Sequence, residues 1–158
     1  MAPALFRPLR GFRGRNRQVF GTRPQPLGRV LYSRTAYEQL GRFPEALAVL
    51  TKSQQIFDSN PSLPLAEKAR VYALSGRRGD ALQTLDRLLA LSKRTQVSKY
   101  PIAAVYAALG DKGQAFAYLN RAYDEHSFML GFLRVDPALD PLRSDPRFRE
   151  LLRRMELQ

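Results

Sequence analysis

An all-α array of stacked helix hairpins, an α-solenoid of about three units closed by a C-terminal capping helix, is the fold this sequence predicts. Two observations carry the prediction. Glycines at 41, 76 and 110 each follow a helical apolar pattern and recur at intervals of 35 and 34 residues. Their neighbours recur with them: Tyr37, Tyr72 and Tyr106 stand four residues before, Ala46, Ala81 and Ala115 five after, and Leu50, Leu85 and Leu119 nine after. A period near 34 with small and aromatic residues at fixed offsets marks tandem helix-turn-helix units. The second observation is the end of the chain, where Asp145-Pro146 opens a segment with Phe148, Leu151, Leu152 and Met155 at helical spacing. Arg147, Arg149, Arg153 and Arg154 fall largely elsewhere on the wheel, as a cap between the last apolar face and water requires.

The first unit is expected over 27–60. Its helix A carries Val30, Leu31, Ala36, Tyr37 and Leu40, and helix B starts at Phe43-Pro44 and buries Ala46, Leu47, Val49, Leu50 and Ile56. Proline in a first helical turn loses no hydrogen bond. The second unit, 61–95, uses Leu65, Ala69, Val71, Tyr72 and Leu74, then Ala81, Leu82, Leu85, Leu88, Leu89 and Leu91, with a polar connector over 92–96. The third unit, 96–126, has Ser98 as an N-cap ahead of Pro101, then Ile102, Ala103, Val105, Tyr106 and Leu109. Ala115, Phe116, Leu119, Ala122 and Tyr123 line its second helix. In the capping segment, 127–158, Asp136, Asp140 and Asp145 each precede a proline, so each reads as a helix start.

The 158 residues carry a net charge of +12, unevenly placed. Residues 1–29 hold Arg7, Arg10, Arg13, Arg15, Arg17, Arg23 and Arg29 and no acid, so most of the basic excess belongs to this leader. Prolines and glycines interrupt any helix over 1–26, which is read as a flexible arm. Three uses of the arm stay open: a solvated leader, a mitochondrial transit peptide, and a nucleic-acid contact. In the last, Arg7, Arg10, Arg13, Arg15 and Arg17 neutralise phosphates while Phe6, Phe12 and Phe20 stack on bases. No apolar run suits a membrane span and no secretory h-region is present, so the expected location is the cytoplasm.

No catalysis, metal or cofactor is expected. Cysteine is absent and His126 is the single histidine, placed where a helix end favours it as a cap. Gly11-Phe12-Arg13-Gly14 lacks the lysine and spacing of a phosphate loop.

At Leu40-Gly41-Arg42-Phe43-Pro44-Glu45-Ala46, and again at Leu109-Gly110-Asp111-Lys112-Gly113-Gln114-Ala115, the chain resembles the tetratricopeptide repeat, over residues 27 to about 126. It departs from that pattern early in helix A, with Leu65, Lys68 and Ala69 in the second unit and Lys99, Ile102 and Ala103 in the third. The stretch from Asp136 to Leu152 is similar to the C-terminal end of tetratricopeptide regions in large bacterial proteins. In those proteins the repeats follow a winged-helix regulator, a kinase, a cyclase or a propeller. The resemblance implies a free-standing or truncated regulatory region of a signalling or transcription system.

It also implies a groove lined by helix A that receives a peptide. Its positions here are Leu31, Thr35 and Glu38, then Ala66, Arg70 and Ala73, then Tyr100, Ala104 and Ala107. Thr35, Glu38, Arg70 and Tyr100 are the expected protein contacts. The lysine and asparagine that clamp a terminal carboxylate in chaperone-binding members are replaced by Leu31 and Thr35, so chaperone tails are not expected ligands. Arg70→Glu is expected on this reading to remove capture and to leave the helical content unchanged. Self-association through exposed helical faces is a third reading.

Overall fold

The computed structural model describes residues 36–56 and 61–156. The basic arm, Leu31, Thr35 and the expected unit boundary at Asn60 lie outside the described residues. Within them every regular element is helical. Residues 36–39 are helical ahead of Gly41. Five helices follow: α1 (Phe43–Ile56), α2 (Ser62–Leu74), α3 (Arg78–Ser92), α4 (Lys99–Leu109) and α5 (Lys112–Asp124). Two 3₁₀ segments, Phe128–Phe132 and Pro137–Leu142, lead to α6 (Pro146–Arg154). Among the described residues no helix is long and apolar enough to cross a membrane.

The recurring glycines build one turn three times. Each takes a left-handed backbone, with φ of 68° at Gly41, 76° at Gly76 and 81° at Gly110. The glycine N–H donates three residues back, to Glu38, Ala73 and Ala107 at 3.0, 3.2 and 3.1 Å. The following N–H donates five back, from Arg42 to Tyr37, Arg77 to Tyr72 and Asp111 to Tyr106, at 2.8, 2.9 and 3.0 Å. Paired bonds of this kind satisfy the last carbonyls of a helix and require a residue that tolerates positive φ. A Cβ added at these glycines would meet open space, so the backbone angle alone selects the residue.

The residue after each glycine extends the pattern. Arg42 lies over the Tyr37 ring at 5.2 Å and Arg77 over Tyr72 at 4.6 Å, and each also pairs with an acid three residues on, Glu45 and Asp80. The third unit differs. Asp111 replaces the arginine and caps α5 by accepting the Gln114 N–H at 3.0 Å, while Tyr106 stacks on Tyr118 at 5.4 Å.

α5 ends in the same turn without glycine. His126 stands at φ 55°, its N–H donates to the Tyr123 carbonyl at 3.0 Å, and the Ser127 N–H donates to Ala122 at 2.9 Å. The helix end is closed chiefly by backbone, with the imidazole Nδ1 3.2 Å from the Tyr123 oxygen. Holding a residue with a Cβ in this conformation costs about 1 kcal/mol. His126→Gly is therefore expected to stabilise the protein by roughly that amount, visible as a higher midpoint in thermal unfolding. A lower midpoint would show that the imidazole contributes more than the strain removes.

Small residues set the helix approach. Ala46, Ala81 and Ala115 have no exposed surface, and Leu50, Leu85 and Leu119 are buried beside them. α1 packs on α2, α2 on α3 and on α4, and α4 on α5. Ala46, Leu50 and Val71 form one cluster, and Ala66, Ala69, Leu85, Leu88, Ile102 and Val105 belong to the next. The largest cluster joins α4 and α5 to the C-terminal segment through Tyr100, Phe116, Leu119, Leu139, Leu142 and Phe148 among others.

Of four expected caps, two form and two do not. Asp136 and Asp145 act as predicted, accepting the Ala138 and Arg147 N–H groups at 2.9 and 3.0 Å ahead of Pro137 and Pro146. Asp140 starts no helix. The 3₁₀ segment runs through Pro141, so Asp140 sits inside it and its carboxylate binds the Arg143 Nε at 2.5 Å. Ser98 stands at the N-cap of α4, yet its hydroxyl faces the Met129 sulfur at 3.6 Å and makes no capping bond.

Candidate protein-binding site

The helix-A positions expected to line a groove are all placed except Leu31 and Thr35. Glu38 ends the helix before the first turn, Arg70 lies in the middle of α2, and Tyr100 opens α4. Glu38 and Arg70 meet across adjacent units. The Arg70 Nη2 binds a Glu38 carboxylate oxygen, and its Nε lies 3.3 Å from Glu67, one turn earlier on α2. The side chains of Arg70 and Glu38 are only 9% and 8% exposed. At that burial an ion cluster carries a large desolvation cost and is held by the match of its partners. Arg70 therefore has a structural task beyond the ligand contact expected of it, and charge reversal there would bring three carboxylates together.

Tyr100 is buried as well, at 2% exposure. Its hydroxyl donates to the Asp136 carboxylate at 2.9 Å, which ties the start of α4 to the C-terminal segment. Ala104 and Ala107 share its cluster with Leu139 and Leu142, so the chain's own tail covers the third unit's share of the groove positions. Sequence reasoning placed these residues on one helix face and missed what sits on them.

Arg143 fastens that tail. Its Nη1 donates to the Arg134 carbonyl at 2.6 Å, its Nη2 to the Asp136 carbonyl at 3.1 Å, and its guanidinium lies 5.6 Å from the Phe148 ring centre. The two 3₁₀ segments are thereby bound to each other and to α6. At the start of α6, side-chain and backbone hydrogen bonds from Arg147 hold the Asp145 carboxyl down to about 2.

Burial, with the Asp136 charge beside it, pushes the Tyr100 phenol far above the ordinary tyrosine range. The unfolded phenol ionises near pH 10, whereas the folded one keeps its proton to higher pH. The stabilisation linked to this group is intact below that value and is lost as pH rises toward the folded one. Tyr100→Phe is expected to cost about 1.5–3 kcal/mol at neutral pH, the range for a hydrogen bond to a charged acceptor. It should also flatten the alkaline limb of a stability-versus-pH curve. An unchanged alkaline limb would assign the limb to other groups.

Compared with known proteins, the chain matches no family model, no curated protein and no solved structure. The functional reading therefore stands on the residues themselves. No group of three or more His, Asp or Glu side chains that would hold a metal ion occurs among the described residues. What the arrangement offers chemically is surface: repeated helix faces, arginines laid on aromatic rings, and solvent-facing apolar side chains at Phe128, Phe132 and Val135.

Proposed function

We propose that the chain is a non-catalytic protein-binding array of three tetratricopeptide-type hairpins, serving as a regulatory or sensory piece of a bacterial signalling or transcription system. One observation carries the reading. The same turn is built at Gly41, Gly76 and Gly110, with tyrosine, alanine and leucine at matching offsets. Tandem units of this kind stack into extended surfaces suited to a peptide or a protein face. Because the tail covers Tyr100, Ala104 and Ala107, a groove ligand on this reading engages the helix-A positions of the first and second units.

The test is affinity capture from nuclease-treated lysate, comparing the whole chain with a whole-chain variant in which Arg7, Arg10, Arg13, Arg15 and Arg17 are glutamine. A protein partner retained by both supports the array as the binding element. Loss of binding with the arginines, or with nuclease, replaces this reading with nucleic-acid binding through the arm, which should also weaken steeply with salt. Sedimentation of the whole chain as a dimer, abolished by Phe128→Ser with Phe132→Ser, would instead favour self-association.

A further inference from the structure

A second surface lies at the C-terminal end, away from the groove positions. Between α5 and α6 is an open cavity of about 300 Å³, lined by Phe116, Asn120, Arg147, Glu150, Leu151 and Arg154, with Pro146 beside them. Phe116 and Leu151 belong to the core, while both arginines, Asn120 and Glu150 face solvent.

Both arginines lie over aromatic rings. Arg147 lies 4.4 Å from the Phe116 ring centre and Arg154 lies 4.2 Å from that of Tyr123. Stacking of this kind fixes a guanidinium without using its N–H donors. Arg154 gives one donor to the Asn120 side chain at 2.8 Å, and Arg147 gives two to Asp145 at 3.0 and 2.8 Å. A guanidinium has five N–H donors, so each arginine keeps others for a ligand. The two positions are seven residues apart, which places them on one face of α6 about 10 Å apart along its axis.

The charge balance favours an anionic guest. The carboxylates at the rim are already matched, Asp145 by Arg147 and Glu150 by Arg153. Arg154 and Lys112, whose charge acts on Asp145, are the surplus.

We propose that this slot docks an acidic peptide segment of a partner protein, with an apolar side chain over Pro146 and Leu151 and a carboxylate on Arg154, the cation of the slot that no rim carboxylate matches. The inference rests on the reading of the chain as a protein-binding array and places a contact at its end rather than on the helix-A face. Arginines already immobilised by stacking lose less freedom when a carboxylate binds, so the site is prepared for a bidentate partner.

The probe is a synthetic peptide of alternating glutamate and leucine bearing one photo-reactive aromatic residue, used with the whole chain. Crosslinks are expected on α5 and α6. Arg154→Gln should weaken the affinity about tenfold, the scale of one charge-assisted hydrogen bond. Glu150→Gln should tighten it, a gain that misfolding does not mimic, and Arg87→Gln on the exposed face of α3 should leave it unchanged. Crosslinks confined to residues 1–29, or equal affinity for Arg154→Gln and the parent chain, overturn the proposal. If Arg154→Gln loses helical circular dichroism, Glu150→Gln decides, and no gain overturns it. Undiminished capture of a natural partner by Arg154→Gln would remove the slot and leave the array reading standing.

Discussion

Arg70→Ala should lower the folding stability by about 3–5 kcal/mol, the cost of removing one member of a buried ion cluster. The guanidinium lies between Glu38 of the first unit and Glu67 of its own helix, with little solvent to screen what remains. Urea unfolding followed by circular dichroism measures the effect. A loss below about 1 kcal/mol would mean that the cluster behaves as an exposed salt bridge. Arg70→Glu should be worse than alanine, so the expectation of unchanged helical content under charge reversal does not survive this geometry. A triple change, Arg70→Met with Glu38→Gln and Glu67→Gln, should recover much of the stability, because the cost lies in mismatched charge more than in lost attraction. Capture experiments on the proposed groove are better read with surface changes than with Arg70.

The local structure was legible where one residue answers to one backbone demand. Gly41, Gly76 and Gly110 announced left-handed turns, the alanines after them announced close helix approach, and Asp145-Pro146 announced the start of α6. Each is a local rule with a steric cause. The occupants of the helix faces were not legible, because contact between Glu38 and Arg70, or between Tyr100 and Asp136, joins residues 32 and 36 positions apart. Helical periodicity names a face and does not say what lies on it. The segment from 127 to 145 escaped for a different reason. Its buried leucines, Leu130, Leu133, Leu139 and Leu142, stand three apart or in multiples of three, the period of a 3₁₀ helix, and Asp136 falls in the same register. A search tuned to 3.6 residues reads that spacing as irregular.

That register gives the second large effect. Leu139→Ala should cost about 2–5 kcal/mol, the range for truncating a leucine in a closed core, because Leu139 has no exposed surface and shares its cluster with Tyr100, Ala104 and Leu119. Hydrogen exchange adds a sharper reading. If the tail were a detachable cover, its amides would exchange long before those of α4, and Leu139→Ala would speed the tail alone. Lifting it would expose Leu133, Leu139 and Leu142 together, each worth about 1.5–3 kcal/mol of burial, and would break the Tyr100–Asp136 bond as well. That sum approaches the stability of a whole small domain. The tail and α4 should therefore exchange through one opening event, accelerated together by the mutation. Separate exchange would return the third unit's helix-A face to the proposed groove, and joint exchange keeps it as core.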